Sequence, residues 1–247
     1  MNHYLLSFLI FLAALALFVI VQGFIIKFNG EYVPVPDIPR EVQLLGSGPA
    51  LSYAIMGDST AVSQGSEYRE GFGSASALRL AESFSVSVIN TAVSGATSAD
   101  VRRDQLSEAV AFKPDIVLLA VGANDTTHLL RATTIRSSMQ AIIDELRRVK
   151  PDVQIVVTRS PAMDSVTRFP DGAKQIMGLR TKQVNTVYGE LIKKNNLIHA
   201  PIAEGTRDAF IADPTLTAAD NFHPNARGYA LWIPIINEAI DKAAERR

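Results

Sequence analysis

Residues 51–60 read LSYAIMGDST, an apolar run of strand length that stops abruptly at small and polar residues. Four further apolar runs lie at 86–92, 116–121, 153–157 and 197–202. Longer amphipathic stretches separate them, near 75–82, 98–112, 133–149, 174–195 and 226–246. Short buried strands that alternate with helices indicate βαβ units. We therefore predict an α/β fold, a three-layer α/β/α sandwich around a parallel five-stranded sheet.

Polar motifs follow the first three apolar runs, and a fourth precedes the last amphipathic stretch. They are GDST at 57–60, SGA at 94–96, GAND at 122–125 and DNFHP at 220–224. In open parallel sheets, ligands bind outside the carboxyl ends of the strands. We expect the four motifs to meet at one edge of the sheet, with Pro224 in the first turn of the last helix.

Ser59, His223 and Asp220 have the chemistry of a nucleophile, a base and its orienting group. A serine hydroxyl is a poor nucleophile at neutral pH unless an adjacent base accepts its proton. The Asp220 carboxylate, three residues before His223, can accept the Nδ1–H of the imidazole and leave Nε2 free for Ser59. On its own, Ser59 could equally be a helix N-cap.

Donors for a developing oxyanion are also present. The candidates are the backbone N–H groups of Ser59 and Gly95 and the side-chain amide of Asn124. Deleting such a donor typically costs about 3–4 kcal/mol of transition-state stabilisation. Glycine at position 95 allows close approach of a substrate, because no Cβ stands in the way.

The four motifs, in this order, resemble those of the SGNH hydrolases, also called the GDSL esterase/lipase family, over roughly residues 51–247. The resemblance implies a flavodoxin-like sandwich with Ser59 as nucleophile and first oxyanion donor. It implies Gly95 and Asn124 as the other donors, and Asp220 and His223 as orienter and base. Thr60 stands where the name-giving motif has leucine, a change that leaves the chemistry untouched.

This resemblance implies a serine esterase that hydrolyses a carboxylic ester through an acyl-enzyme on Ser59. An O-acyltransferase with a saccharide acceptor would use the same site, and a catalytically silent binding module is a third interpretation. Lipid and sugar esters are both open as substrates. We expect Asp58 and Asp125 to brace their loops, and the loop at 160–173 to act as a lid over the acyl pocket.

Composition excludes several other classes of protein. Lys and Arg total 24 against 25 for Asp and Glu, so the net charge of −1 gives no reason to expect nucleic acid as a partner. The chain has no cysteine, which excludes disulfides and thiolate chemistry. No histidine has metal-ligand spacing, and no phosphate-binding glycine motif follows the first strand, so we expect neither a metal nor a cofactor.

The amino terminus carries a long uncharged stretch, residues 4–26. As a helix it would be roughly 30–35 Å long, enough to cross a bilayer. A cleaved signal peptide is the competing interpretation, although no Lys or Arg precedes the stretch. We predict a membrane anchor at 1–27, a Pro- and Gly-containing linker at 28–50 and the catalytic domain at 51–247, outside the cytoplasm.

Overall fold

The computed structural model describes residues 3–44 and 46–247; residues 1 and 2 of the predicted anchor and residue 45 of the predicted linker lie outside them. The described strands are β1 (Glu41–Leu44), β2 (Ala50–Gly57), β3 (Ser85–Asn90), β4 (Ile116–Ala120), β5 (Gln154–Val157) and β6 (Ile198–His199). They form one sheet in the order β1-β3-β2-β4-β5-β6.

Strand β1 corrects the prediction of a five-stranded, all-parallel sheet. Strands β2 to β6 run parallel, but β1 pairs with β3 in the antiparallel sense, so the sheet is mixed. Residues 41–44 belong to the stretch predicted as a linker. The prolines and glycines on either side of them indicated irregular structure, so the four-residue strand was not predicted. Val42 and Leu44 are half-buried against the core, and the alternate residues face outward.

The helices are α1 (His3–Phe28), α2 (Phe72–Ala81), α3 (Ser98–Asp100), α4 (Leu106–Phe112), α5 (Ala123–Thr127), α6 (Ala132–Val149), α7 (Asp171–Lys194), α8 (Ile202–Ala212) and α9 (Ala226–Glu245). A π-helical turn, Val101–Gln105, joins α3 to α4. The apolar run 197–202, predicted as a strand, contributes only two residues to the sheet. Its last residue, Ile202, instead begins α8 and is buried there.

The sheet separates two apolar cores, as expected for strands covered on both faces. Tyr53 and Ile55 of β2 point into the core formed with α2, α8 and α9. Ala54 and Met56, the alternate residues, point into the core formed with α6 and α7. This alternation follows from the two-residue period of a strand. Helices therefore pack on both sides of the sheet and leave the carboxyl ends of β2, β3 and β4 open at one edge.

Helix α1 lies outside both cores. Within the stretch His3–Lys27, an 18-residue window has a mean hydropathy of 2.9 and is not buried, so the helix is long and apolar enough to cross a membrane. The residues that follow it return to the domain, where the Glu31 N–H donates to the carbonyl oxygen of Ala219 at 2.9 Å. The junction between α1 and the domain therefore lies next to the loop that precedes α9.

Candidate active site

Three side chains from distant parts of the sequence form one hydrogen-bonded chain. Ser59 lies in the turn after β2, and Asp220 and His223 lie in the loop before α9. The Ser59 Oγ is 2.8 Å from His223 Nε2, and His223 Nδ1 is 2.5 Å from Asp220 Oδ2. All three residues are buried. Exclusion of water strengthens the electrostatic interactions within such a chain.

Hydrogen bonds within the loop from Ala218 to Asn225 fix its conformation. The backbone N–H groups of Phe222 and His223 donate to Asp220 Oδ1 at 2.9 and 3.0 Å. Burial raises the pKa of the Asp220 carboxyl, but these donors and the His223 ring outweigh it, so the net pKa lies below its usual value. Asp220 is therefore ionised at neutral pH and can orient the imidazole.

The last helix begins at Ala226, where the predicted amphipathic stretch begins, but Pro224 is not in its first turn. Asn225 is the N-cap of α9, and its Oδ1 accepts a hydrogen bond from the Gly228 N–H at 3.1 Å. Pro224 consequently lies before the helix rather than in its first turn, and pairs with Thr217 in an isolated β-bridge. This bridge closes the loop that presents His223.

The predicted oxyanion donors border the same cleft as Ser59 and His223. Asn124 is the second residue of α5, just beyond β4. One hydrogen of its Nδ2 group is donated to the carbonyl oxygen of Ala96 at 3.1 Å. That bond orients the amide and leaves its second hydrogen available. In the described part of the chain, the N–H groups of Ser59 and Gly95 take part in no hydrogen bond.

The cleft is open and has one apolar wall. Its volume is about 970 Å³, including the mouth. The apolar wall consists of Ile26, Phe169, Met177 and Phe222. The polar part of the lining carries the predicted site residues Ser59, Gly95, Asn124 and His223 together with Gln64, Ser94, Thr127, His128 and Arg168. All of the predicted site motifs therefore reach one cavity.

The sequence matches an established protein family over most of its length. A model of the GDSL-like lipase/acylhydrolase family matches residues 55–231, from the middle of β2 into α9. The chain belongs to the GDSL-like lipase/acylhydrolase family. The resemblance inferred from the four motifs, and with it the assignment as a GDSL-type hydrolase, is confirmed. No curated protein sequence matches the chain at a significant level.

Solved structures share the fold of this GDSL-family chain at low sequence identity. Phospholipase A1 from Streptomyces albidoflavus is 17% identical, with a TM-score of 0.60, over 77% of this chain and 99% of that one. A lipase/acylhydrolase from Enterococcus faecalis is 20% identical, with a TM-score of 0.60, over 78% and 96%. A catalytic mutant of an acetylxylan esterase from Geobacillus stearothermophilus is 18% identical, with a TM-score of 0.57, over 80% and 96%.

Two buried aspartates brace the motif loops of this GDSL-family site. Asp58 Oδ1 accepts hydrogen bonds from the backbone N–H and the hydroxyl of Thr60, at 2.9 and 2.8 Å. Asp125 accepts from the Ser98 N–H at 2.8 Å and from the Tyr188 hydroxyl at 2.6 Å. Burial raises the pKa of the Asp125 carboxyl, against the effect of these donors. Both aspartates thus hold loops, as expected from the sequence.

Several residues of the cleft lie outside the four motifs. Ile26 was assigned to the anchor, yet it lines the cavity. Arg168 and Phe169 line the cleft and belong to the segment 160–173, which was predicted as a lid loop, although its last three residues form the start of α7. His128, which belongs to none of the four motifs, also lines the cleft. These residues come together through tertiary packing, which no local spacing reveals.

Proposed function

We propose that the protein is a serine esterase that hydrolyses a carboxylic ester through an acyl-enzyme on Ser59. The observation that carries the proposal is the distance of 2.8 Å between Ser59 Oγ and His223 Nε2, with His223 Nδ1 held by an ionised Asp220. A nucleophile, a base and an orienting carboxylate in this arrangement are what acyl transfer by serine requires.

The reaction begins when Ser59 Oγ attacks the ester carbonyl carbon and its proton passes to His223 Nε2. The carbonyl oxygen becomes an oxyanion, which accepts hydrogen bonds from Ser59 N–H, Gly95 N–H and the free hydrogen of Asn124 Nδ2. The tetrahedral intermediate then collapses, its C–O bond to the leaving alcohol breaks, and the alkoxide takes the proton from His223. An acyl ester on Ser59 and a free alcohol result.

Water completes the cycle at the same groups. His223 Nε2 removes a proton from a water molecule as the water oxygen attacks the acyl carbon. Collapse of the second intermediate returns the proton to Ser59 Oγ and releases the carboxylic acid. Asp220 stays ionised throughout and stabilises the imidazolium that forms in each half-reaction.

The apolar wall of the cleft suits the acyl chain of the substrate, and it favours a chain longer than acetyl. Ile26, Phe169 and Met177 lie on this wall, and each buried methylene contributes about 0.8 kcal/mol to binding. Membrane-derived or other hydrophobic esters fit this wall better than an acetyl ester does. The phospholipase A1 among the fold neighbours acts on a substrate of that kind.

We further propose that α1 is an uncleaved membrane anchor that holds the catalytic domain outside the cytoplasm. Retention is supported by the contact of Arg168 Nε with the carbonyl oxygen of Ile26 at 3.1 Å, since cleavage before the domain would remove this partner. Amino-terminal sequencing of the membrane fraction tests retention. Protease shaving of intact cells tests orientation, and a domain that resists digestion until the cells are broken would place it in the cytoplasm.

The test of the esterase uses the full-length protein in detergent. We expect hydrolysis of p-nitrophenyl butyrate and octanoate, with kcat/KM rising with chain length, and covalent labelling by a fluorophosphonate. Ser59→Ala abolishes both, whereas Ser137→Ala, on the exposed face of α6, changes neither. Hydrolysis retained by Ser59→Ala would refute the acyl-enzyme mechanism. Labelling without hydrolysis, together with ester formation on an added saccharide, would indicate an acyltransferase instead.

A further inference from the structure

The segment that leaves α1 is bonded to the loop that carries Asp220 and His223. We call residues 29–31 the exit segment. Asn29 Nδ2 donates to the carbonyl oxygens of Thr167 and Arg168, both at 3.0 Å, and Asn29 Oδ1 accepts from Asn221 Nδ2 at 3.1 Å. One asparagine side chain therefore joins the end of the anchor helix to two loops of the active site.

Arg168 forms a second connection between α1 and the same loop. Its Nε donates to the carbonyl oxygen of Ile26 at 3.1 Å, and its Nη1 to that of Asp220 at 3.5 Å. The last carbonyls of a helix carry partial negative charge and lack helical partners, so a guanidinium stabilises them. The backbone N–H of Arg168 also donates to the carbonyl oxygen of Asn221 at 2.7 Å.

Gly30 brings the exit segment into backbone contact with Asp220. Its φ of +124° lies in the region that favours glycine, and a Cβ at this position would lie 2.2 Å from the carbonyl oxygen of Asp220. Asn221, the next residue of the loop, has a φ of +57°, a conformation that residues other than glycine rarely adopt. The contact between the exit segment and the catalytic loop thus leaves no room for a side chain at position 30.

We propose that the exit segment is a positioning element of the active site, which holds the Asp220–His223 loop in its productive geometry. Asn29 and Gly30 touch neither substrate nor reacting atoms; they act through Asp220 and Asn221. The inference rests on the proposed esterase function, because it assigns the loop a role in catalysis. It makes catalytic rate depend on the junction between anchor and domain.

The size of the effect follows from the tolerance of catalytic geometry. Misplacement of a catalytic group by about 1 Å can lower the rate by about 10²-fold. A methyl group at position 30 must widen the gap to the Asp220 carbonyl oxygen from 2.2 Å to at least 3.0 Å, so the exit segment and the catalytic loop move apart by nearly that distance. The hydrogen bond between His223 Nδ1 and Asp220 Oδ2 lies within the same loop, so a shift of the loop alters it.

The experiment compares Gly30→Ala with Gly23→Ala in the full-length protein in nanodiscs. Gly23 lies in α1, and a Cβ there would meet no described atom within 4 Å, so this variant is a matched control. We expect Gly30→Ala to lower kcat at least 10-fold with KM unchanged within twofold, and Gly23→Ala to retain both values. Asn29→Ala, which removes bonds without adding atoms, lowers kcat in the same way by a smaller factor.

Hydrogen–deuterium exchange gives a readout that needs no enzymatic activity. We expect faster exchange of the amides at 219–223 in Gly30→Ala and Asn29→Ala, with the thermal midpoint of the domain unchanged within about 3 °C. Wild-type kcat and wild-type exchange in both variants would overturn the proposal. If the wild-type protein lacks Ser59-dependent hydrolysis while exchange still responds, the proposed function fails, and the exit segment keeps only a structural role.

Discussion

The side chain of Gln105 pairs with both backbone groups of Gly57, at the end of the strand that leads to Ser59. Gly57 N–H donates to Gln105 Oε1 at 2.9 Å, and Gln105 Nε2 donates to the carbonyl oxygen of Gly57 at 2.8 Å. The register of β3 with β2 ends two residues earlier, where Asn90 faces Ile55. The Gly57 carbonyl oxygen also accepts from the Val93 N–H at 3.1 Å, so the glutamine amide supplies the acceptor for the Gly57 N–H and a second donor for its carbonyl.

Gln105→Leu tests this pairing. The leucine would leave the Gly57 N–H buried without an acceptor, and an unpaired buried donor costs about 1–3 kcal/mol. We expect the free energy of unfolding to fall by that amount in urea denaturation. Gln183→Leu, on the exposed face of α7, is the control and should change stability by less than about 0.5 kcal/mol. An equal effect of the two substitutions would mean that the Gln105 amide contributes nothing specific.

Asn124→Ala tests the assignment of the side-chain oxyanion donor. Its amide stabilises charge that exists only in the transition state, so the substitution should lower kcat by roughly 10²–10³-fold while KM changes little. Steady-state kinetics with p-nitrophenyl butyrate measures both constants. A change confined to KM would instead assign Asn124 to ground-state binding, with Ser59 and Gly95 as the remaining donors.

The site could be predicted from the sequence because its chemistry is concentrated in short motifs at strand ends. Asp220 and His223 are three residues apart, so their contact is local. Ser59 and Asn124 follow strands β2 and β4, and the rule for parallel sheets brings those ends together. Ser59 and Asn124 are far apart in the sequence, but the fold class predicts that the ends of their strands lie side by side.

The remaining features depend on contacts that leave no periodic pattern. Strand β1 has four residues, and only Val42 and Leu44 carry its apolar signal. Gln105 bonds to a residue 48 positions away, and Asn29 to residues 138, 139 and 192 positions away. In the sequence, a polar residue that forms such a bond cannot be told apart from a polar residue exposed to solvent. These contacts become visible only when the packed elements are known.

Truncation tests the role of β1. A fragment of residues 51–247 lacks Val42 and Leu44 and leaves the edge of β3 unpaired, which favours edge-to-edge association. We expect it to be less stable than a fragment of residues 29–247 by at least about 2 kcal/mol, from the lost apolar burial, and to elute as larger species in size-exclusion chromatography. Equal stability and a monomeric profile for both fragments would show that β1 is dispensable.

Asp58→Asn tests the cost of a buried carboxyl beside the nucleophile. Burial raises the pKa of Asp58 to about 6 from its usual 3.8, although hydrogen bonds from Thr60 oppose the shift. Between these two values the folded protein binds more protons than the unfolded chain. The contribution of Asp58 to stability is therefore fully present below pH 3.8 and is lost as the pH rises through about 6.

Asparagine removes this ionisation and keeps an oxygen that can accept the two bonds from Thr60. The wild-type free energy of unfolding, minus that of Asp58→Asn, should accordingly fall by about 2–3 kcal/mol between pH 4 and pH 7. Taking this difference cancels the titration of groups that the two proteins share. Urea denaturation of both at several pH values in this range measures it. A difference independent of pH would mean that the Asp58 carboxyl ionises in the folded protein as readily as in the unfolded chain.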